Sequence, residues 1–467
     1  MKKLYRFSAI ALLVLPLVFT SCSDYLDRDD DDNITEADVF ARYEKVNGLV
    51  SDVYAAAKKA DRPLVFFEHF SNSAITDECE GTNVEGNITN NFNNGAWNPN
   101  SLPGSVGQYW EALYEGIRKA NLIIENVQKY NTPDNPQQDG DLRNRIGEMY
   151  FMRGYFHMLL LRMYGEAPYI DRVINAGDNM DFKKESVHSM VEKIVTDAQT
   201  AYGMVPNKYV KTSENFGRVD KGACLGLISF VRWVAATPLW NGASQYGYNL
   251  RRVFENEYAY DATRWRKAKE AAKAVLDFEV GGTKRYSLYT KHDANDFKDP
   301  ADGNLNDSRV YARLWDMFYD MDAFANEYVF FMTKSKDQAW QGDIYPPSRE
   351  GSSRQQPVQE QVDEYEYIVG DYGYPVYSAE ARKGGYDDTN PYVKGTRDPR
   401  FYRDVIYHGA PYRNNKNESK TINTASGSDK IGATNATTTG YYLRKFQQES
   451  WNKSGNFSIN APAIWRL

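Results

Sequence analysis

Over the first half of this chain, apolar and polar positions alternate with a helical period. Thr35, followed three residues later by Asp38, has the form of an N-cap with its reciprocating acid and predicts a helix to about Ala60. Ser105 and Gln108 repeat that pattern. Behind them Val106, Trp110, Leu113, Ile117, Ala120, Ile124 and Val127 recur at steps of three and four, which lines up one buried stripe. From Leu142 to Tyr164 the second half is apolar on nearly every side, so a central, enclosed helix is predicted, closed by Gly165 and Pro168. Further helices are predicted near Ser186–Met204, Lys221–Ala236 and Thr263–Leu276. The run Trp265 to Ala272 mixes a tryptophan with small residues in the manner of a tetratricopeptide A-helix, where small residues admit a neighbouring helix. The predicted class is mostly α: a tetratricopeptide-like helical-repeat scaffold whose units bury their apolar faces only against one another.

The helical period is lost twice. Phe66 to Pro103 is rich in Asn, Gly and Thr, with Trp97 standing out, and Tyr286 to Gly440 scatters Gly, Asn, Asp and Tyr among short apolar runs. Loops of this length inside a compact protein usually carry function on a rigid support. The resulting organisation is helical repeats over about 35–60 and 105–280, and loop-rich binding regions over about 64–104 and 281–460, within one domain spanning 35–467.

The N-terminus reads differently. Met1 to Arg6 is basic, Phe7 to Phe19 is almost wholly apolar, and Thr20-Ser21 leads to Cys22. This is a signal peptide over residues 1–21, too short to span a bilayer stably, ending in a lipobox-like site with Cys22 as the lipidated residue. Several acyl chains at about 0.8 kcal/mol per buried methylene hold a protein on a membrane. Residues 22–34 form an acidic tether that includes Asp29 to Asp32, where like charges repel and stay solvated. It reads either as a plain spacer or as a surface-export signal.

Composition narrows the function. The 467 residues carry a net charge of −7 and show no basic stripe, which argues against nucleic acid as a partner. With Cys22 lipidated, Cys79 and Cys224 remain; they imply no disulfide framework, although a bond between them stays open, and Cys224 lies in an apolar helical run that suits a core residue. Aromatics make up 14% of the chain, with 35 Tyr. Such numbers serve a helical core and also sugar-binding surfaces, where a ring covers the C–H face of a pyranose and neighbouring polar groups bond its hydroxyls. The five histidines, His69, His157, His188, His292 and His408, lack metal-ligand spacing, and no cofactor or metal is called for. A structural calcium site built from loops stays open. No nucleophile elbow, phosphate loop or nucleotide fingerprint is present. A glycosidase would need two facing carboxylates, and no motif nominates a pair. A binding protein is expected rather than an enzyme.

Six segments together resemble the SusD/RagB family of outer-membrane nutrient-binding lipoproteins. Tyr109 to Asn121 is similar to the family's W-x-x-x-Y-x-x-I-R-x-A-N helix. Tyr150 to Phe156 and Arg162 to Pro168 are similar to its R-A-Y-x-Y…L-Y-G-x-x-P signature, with Gly154 in place of the alanine. Gly217 to Ala223, Asn326 to Phe330, Arg397 to Phe401 and Tyr441 to Phe446 follow in the family's order. Most of these residues are expected to be structural. Arg153 and Arg162, nine apart on one helix, face roughly opposite sides and should each bond carbonyls or a carboxylate between packed helices. Trp110 and Tyr114 should be core, and Asp398-Pro399 a turn pinned by Arg397 or Arg400. Family members continue past Arg466-Leu467 into another helix, so the resemblance implies a C-terminal truncation.

The resemblance implies capture of an oligosaccharide on the cell surface and its handover to a SusC-like TonB-dependent transporter, with the outer membrane reached through the lipid anchor. Peptide capture, or a surface glycan-degrading enzyme, are the alternatives. Thr76-Asp77-Glu78 resembles a stretch near the family's cleft. The site is expected at Trp97 and Trp315 as stacking platforms, with Asp77 and Arg349 bonding hydroxyls and Tyr311 and Trp340 nearby. Trp315 and Trp340 also fit as core anchors of the later insertion, and both readings stay open.

Overall fold

The structure, a computed structural model, describes residues 35–60, 72–81, 88–98, 104–130, 136–209, 215–242, 254–290, 326–331, 342–393, 395–413, 419–446 and 463–466. Its helices run α1 Glu36–Phe40, α2 Tyr43–Ala60, α3 Ile88–Asn93, α4 Gly104–Tyr130, α5 Pro136–Tyr164, α6 Val187–Met204, α7 Lys221–Ala236 and α8 Ala262–Asp277. Apart from α3, each packs against its neighbours in chain order, as stacked repeats require.

Thr35 caps α1, and its reciprocal bond with Asp38 is present. The single helix expected from that cap is, however, two, broken at Ala41–Arg42. Phe40 precedes Val46 by six positions, which on one continuous helix would turn it well away from the stripe of Val46, Val50, Val53 and Ala57. The break lets Phe40 join the same core. The next long helix starts at Gly104, so Ser105, expected as its cap, lies inside it.

The central helix is α5. Between Phe151 and Leu161 every residue is buried, because α4, α6 and α7 all pack against it. It stops at Gly165, whose φ of 71° suits glycine and whose missing side chain leaves room for the Trp240 ring. Two buried polar networks lock its middle. In the first, the fully buried Glu148 accepts from Arg145, from Arg218 at 2.9 Å, and from the hydroxyls of Tyr54 at 2.9 Å and Tyr209 at 2.7 Å. Further along, Arg153 holds Asp197 of α6 through two hydrogen bonds and also donates to Asn121 and to the Asp171 carbonyl. Arg153 is thus tied between packed helices as expected, whereas Arg162, on the other face, is exposed.

The loop-rich second half is more structured than its composition suggests. It holds short paired strands and a second core of Tyr345, Val362, Phe401, Tyr402, Val405, Ile406, Tyr407, Tyr441 and Tyr442. Asp398-Pro399 begins a short helix, Pro399–Asp404, rather than a simple turn. Asp398 accepts from the Arg400 amide and pairs with its guanidinium, while the buried Arg397 donates to the carbonyls of Tyr365 and Val362. Strand Tyr328–Phe331 sets Phe330 against Phe151 and Tyr155, and its backbone pairs with Ala463–Arg466. Glu327 beside it accepts from the Tyr289 amide at 2.7 Å.

Candidate functional site

The first loop region folds around a small antiparallel sheet. Strands Ile75–Thr76 and Cys79–Gly81 form a tight hairpin, and Cys79–Gly81 pairs on its other edge with Gln355–Pro357. Asp77 and Glu78 make the hairpin turn. The Thr76 hydroxyl donates to the Ser73 carbonyl and accepts from the Glu78 amide, and the Ser73 hydroxyl donates to the Glu78 carboxylate. Glu78 is thereby engaged within the turn, while Asp77 is exposed to solvent. Cys79 is buried, and burial pushes its thiol up to about 12, so it stays protonated and unreactive.

Helix α3 lies against this hairpin. The Asn93 side chain donates to the Ala74 carbonyl, and Ile88 and Phe92 pack on Ala74, Cys79 and Val106. After α3 the chain reverses through Gly95, at a φ of 64°, with the Gly95 amide on the Phe92 carbonyl and the Ala96 amide on the Asn91 carbonyl. The reversal returns Trp97 onto Phe92, ring centroids 5.0 Å apart at 47°. Trp97 keeps 39% of its surface exposed. A large ring is therefore packed on one aromatic neighbour and left partly exposed, on the same substructure as Asp77.

Arg349 lies on the approach to the third strand of that sheet, in the one-turn helix Pro347–Arg349. Gly351 then passes so close to the Tyr345 carbonyl that a Cβ would sit 1.9 Å from its oxygen, which fixes the tight return. The Ser348 amide is held by Asp429 at 2.8 Å. The structure thus joins Asp77 and Trp97 in one unit and leaves Arg349, half-buried, on the segment leading into its neighbouring strand. Tyr311, Trp315, Trp340 and the lipidation residue Cys22 lie outside the described residues.

The unit carries a partly exposed aromatic ring and an exposed carboxylate, groups that suit stacking and hydrogen bonding to hydroxyls. Among the described residues no group of three or more His, Cys, Asp or Glu could hold a metal ion. His157 does structural work: its ring stacks on Tyr169 at 3.7 Å, Nδ1–H donates to the Arg153 carbonyl, and Nε2 accepts from the Ile170 amide. Its pKa falls to about 3, chiefly through burial.

Two other places on the surface carry charged or aromatic side chains together. A crevice of about 190 Å³ opens between α6, α7 and α8, lined by His188, Glu192, Arg232, Arg264 and Lys267 among others. Its charges answer one another: Glu192 takes Arg232 on both oxygens and Lys267 at 3.2 Å, and Arg264 donates to Asn241 and to the carbonyls of Glu257 and Ala259. The second place is a pair of exposed tyrosines, Tyr372 and Tyr377, at 70% and 54% exposure. Their signal in the sequence is slight: Tyr372 lies between Gly370 and Gly373, and Tyr377 follows Pro375 by two residues.

Comparison with known proteins follows the same lines. A family model described as starch-binding associating with outer membrane matches residues 24–231, and a model of the SusD family matches residues 314–467. A SusD-like protein of Formosa agariphila is 24% identical over 202 residues, covering 42% of this chain and 38% of that protein's own length. Among solved structures, a SusD-like protein of Bacteroides fragilis superposes with a TM-score of 0.68 at 18% identity, covering 93% of this chain and 74% of that one. A SusD-like carbohydrate-binding protein of the same organism gives 0.65 at 14% identity, covering 92% and 72%. A SusD homologue of Bacteroides thetaiotaomicron gives 0.57 at 14%, covering 92% and 72%. These likenesses establish the fold, a tetratricopeptide-like helical scaffold with loop-borne insertions.

Proposed function

This chain belongs to the SusD/RagB family, and we propose that it binds an oligosaccharide at the outer membrane and passes it to a TonB-dependent transporter, without turning it over. The observation that carries the reading is Trp97, packed on Phe92 yet partly exposed, on the substructure that also carries the exposed Asp77 turn. An aromatic ring kept in solvent loses the benefit of burial, and the fold holds it there with a dedicated reversal through Gly95. A pyranose supplies the matching partner: an apolar C–H face for the ring and a rim of hydroxyls for the carboxylate. The family description, starch-binding associating with outer membrane, and the carbohydrate-binding relative from Bacteroides fragilis point the same way.

The Ser21-Cys22 site supports the membrane assignment through lipidation, and the helical-repeat surface suits a large protein partner. The test is calorimetric titration of the full chain, solubilised in mild detergent, with oligosaccharides selected on a glycan array. Trp97→Ala is expected to weaken binding at least tenfold, roughly 1.4 kcal/mol or more, with its circular dichroism unchanged. Unchanged affinity in a folded Trp97→Ala protein removes Trp97 from the site. Binding of peptides and no glycan, or hydrolysis of the bound glycan at enzyme-like rates, replaces the reading with one of its alternatives.

A further inference from the structure

We propose a second carbohydrate-contacting surface, centred on Tyr377 and separate from the Trp97 platform; it rests on the glycan-binding reading above. Tyr377 sits at the tip of a turn between strand Tyr372–Tyr374 and the short helix Ala379–Lys383, closed by the Ser378 amide on the Pro375 carbonyl. Its neighbour Val376 is buried and anchors the turn, so Tyr377 stands outward with more than half of its surface exposed.

The ring is supported from two sides. Its hydroxyl donates to the Asp363 carboxylate at 3.2 Å, and it meets Tyr386 in a T-shaped contact, centroids 5.8 Å apart at 86°. Arg382 stands over Tyr386, 5.9 Å from its ring centre, and pairs with Asp388 at 2.9 Å, both side chains about half exposed. Gln359 donates to the same Asp363 oxygen that receives Tyr377. The Tyr377 ring thus has the Asp363 carboxylate and, behind it, the Gln359 amide at its hydroxyl, and the Arg382–Asp388 pair stands around the Tyr386 ring that it touches.

That combination specifies its ligand chemistry. The ring offers an apolar platform about the size of a sugar ring. The border offers acceptors and donors, as the hydroxyl rim of a pyranose requires. A protein partner would favour a continuous apolar patch with few charges at its centre, and here charged groups crowd the single ring. Because the ring is already held at Asp363 and Tyr386, little side-chain freedom is lost on binding.

The position also suits a polymer. Asp363 closes the helix Gln359–Asp363, which follows directly on strand Gln355–Pro357, the third strand of the sheet bearing the Asp77 turn. Asp363, which holds the Tyr377 hydroxyl, is thus one element away from the sheet that carries the Asp77 turn, and a chain of sugars long enough to reach both aromatics would gain from their linkage.

The experiment is native affinity electrophoresis of the detergent-solubilised full chain in gels containing starch, laminarin, xylan, galactomannan or pectin. Tyr377→Ala is expected to raise the apparent dissociation constant for the retarding polysaccharide at least fivefold. Tyr377→Phe, which keeps the ring, is expected to stay within twofold, and circular dichroism should show both folded. A wild-type chain retarded by a polysaccharide, with folded Tyr377→Ala retarded equally, overturns this surface and leaves the Trp97 site standing. A wild-type chain retarded by none of the five overturns this surface together with the glycan reading.

Discussion

At the scale of single residues, His157 shows how the interior sets a titration. Buried on α5 and stacked on Tyr169, it spends both ring nitrogens on the backbone, one donating and one accepting, an arrangement open only to the neutral ring. Burial lowers its pKa to about 3, and burial lowers that of His188 to about 4. In the unfolded chain both return to about 6.5. The unfolded state therefore binds more protons between those values, and stability falls as pH drops below about 6.5. Each of the two histidines contributes up to about 1.4 kcal/mol per pH unit to that decline, whereas the buried Asp220, whose carboxyl burial pushes up, works against it. Urea midpoints measured at pH 7, 6 and 5 should decline accordingly. His157→Gln should be less stable at pH 7 yet show a shallower decline, and a decline as steep as that of the wild type would refute the assignment. The motif arginines are likewise structural: Arg153, Arg218, Arg397 and Arg400 each bond carboxylates or carbonyls inside the fold.

At the scale of elements, the glycines of the helical core separate cleanly. Gly154 faces Asp197 and Leu227 at 3.4 Å from the position a Cβ would take, an ordinary contact. Gly116 on α4 faces the Phe156 ring at 2.4 Å, which no side chain tolerates without movement. Gly154→Ala should therefore stabilise the protein by about 0.5–1 kcal/mol through helix propensity alone. Gly116→Ala should cost about 1–3 kcal/mol by forcing α4 and α5 apart. Thermal melts of the two variants should move in opposite directions; a shift of the same sign in both would contradict this packing. The helices themselves were legible in the sequence because their apolar spacing is local. The break at Ala41–Arg42 was not, since it answers to the distant core that Phe40 must reach. The second-half elements were illegible for a related reason: their strands are two to four residues long, too short for a period to show.

At the scale of the whole molecule, two cores meet through a small sheet. Gln356 on its third strand is buried, accepts from the Thr438 amide at 2.7 Å and from the hydroxyls of Thr437 and Thr438, and so ties the first loop region to the last described turns. The proposed anchoring and partnership belong to this scale. Cys22→Ala should release the protein from outer membranes and abolish lipid labelling, and a TonB-dependent transporter should copurify with the unmutated protein. Retention of the variant in the membrane would refute the lipid anchor. The sequence by itself determined the helical-repeat scaffold, the family, the basic-apolar-cysteine start and the structural character of the motif residues, because each is written in short-range spacing or in side-chain type. It also nominated Trp97 and Asp77, one as an aromatic in a polar loop and the other from a family-like stretch. Only the tertiary structure decided that these two share one substructure, that Trp97 rests on Phe92, that Arg162 faces solvent while Arg153 does not, and that Tyr377 stands exposed while Tyr402 and Tyr442 are enclosed. Tyrosine suits a core and a surface equally well, so its composition alone leaves the choice open. What settles each ring is which segments, far apart in sequence, close over it.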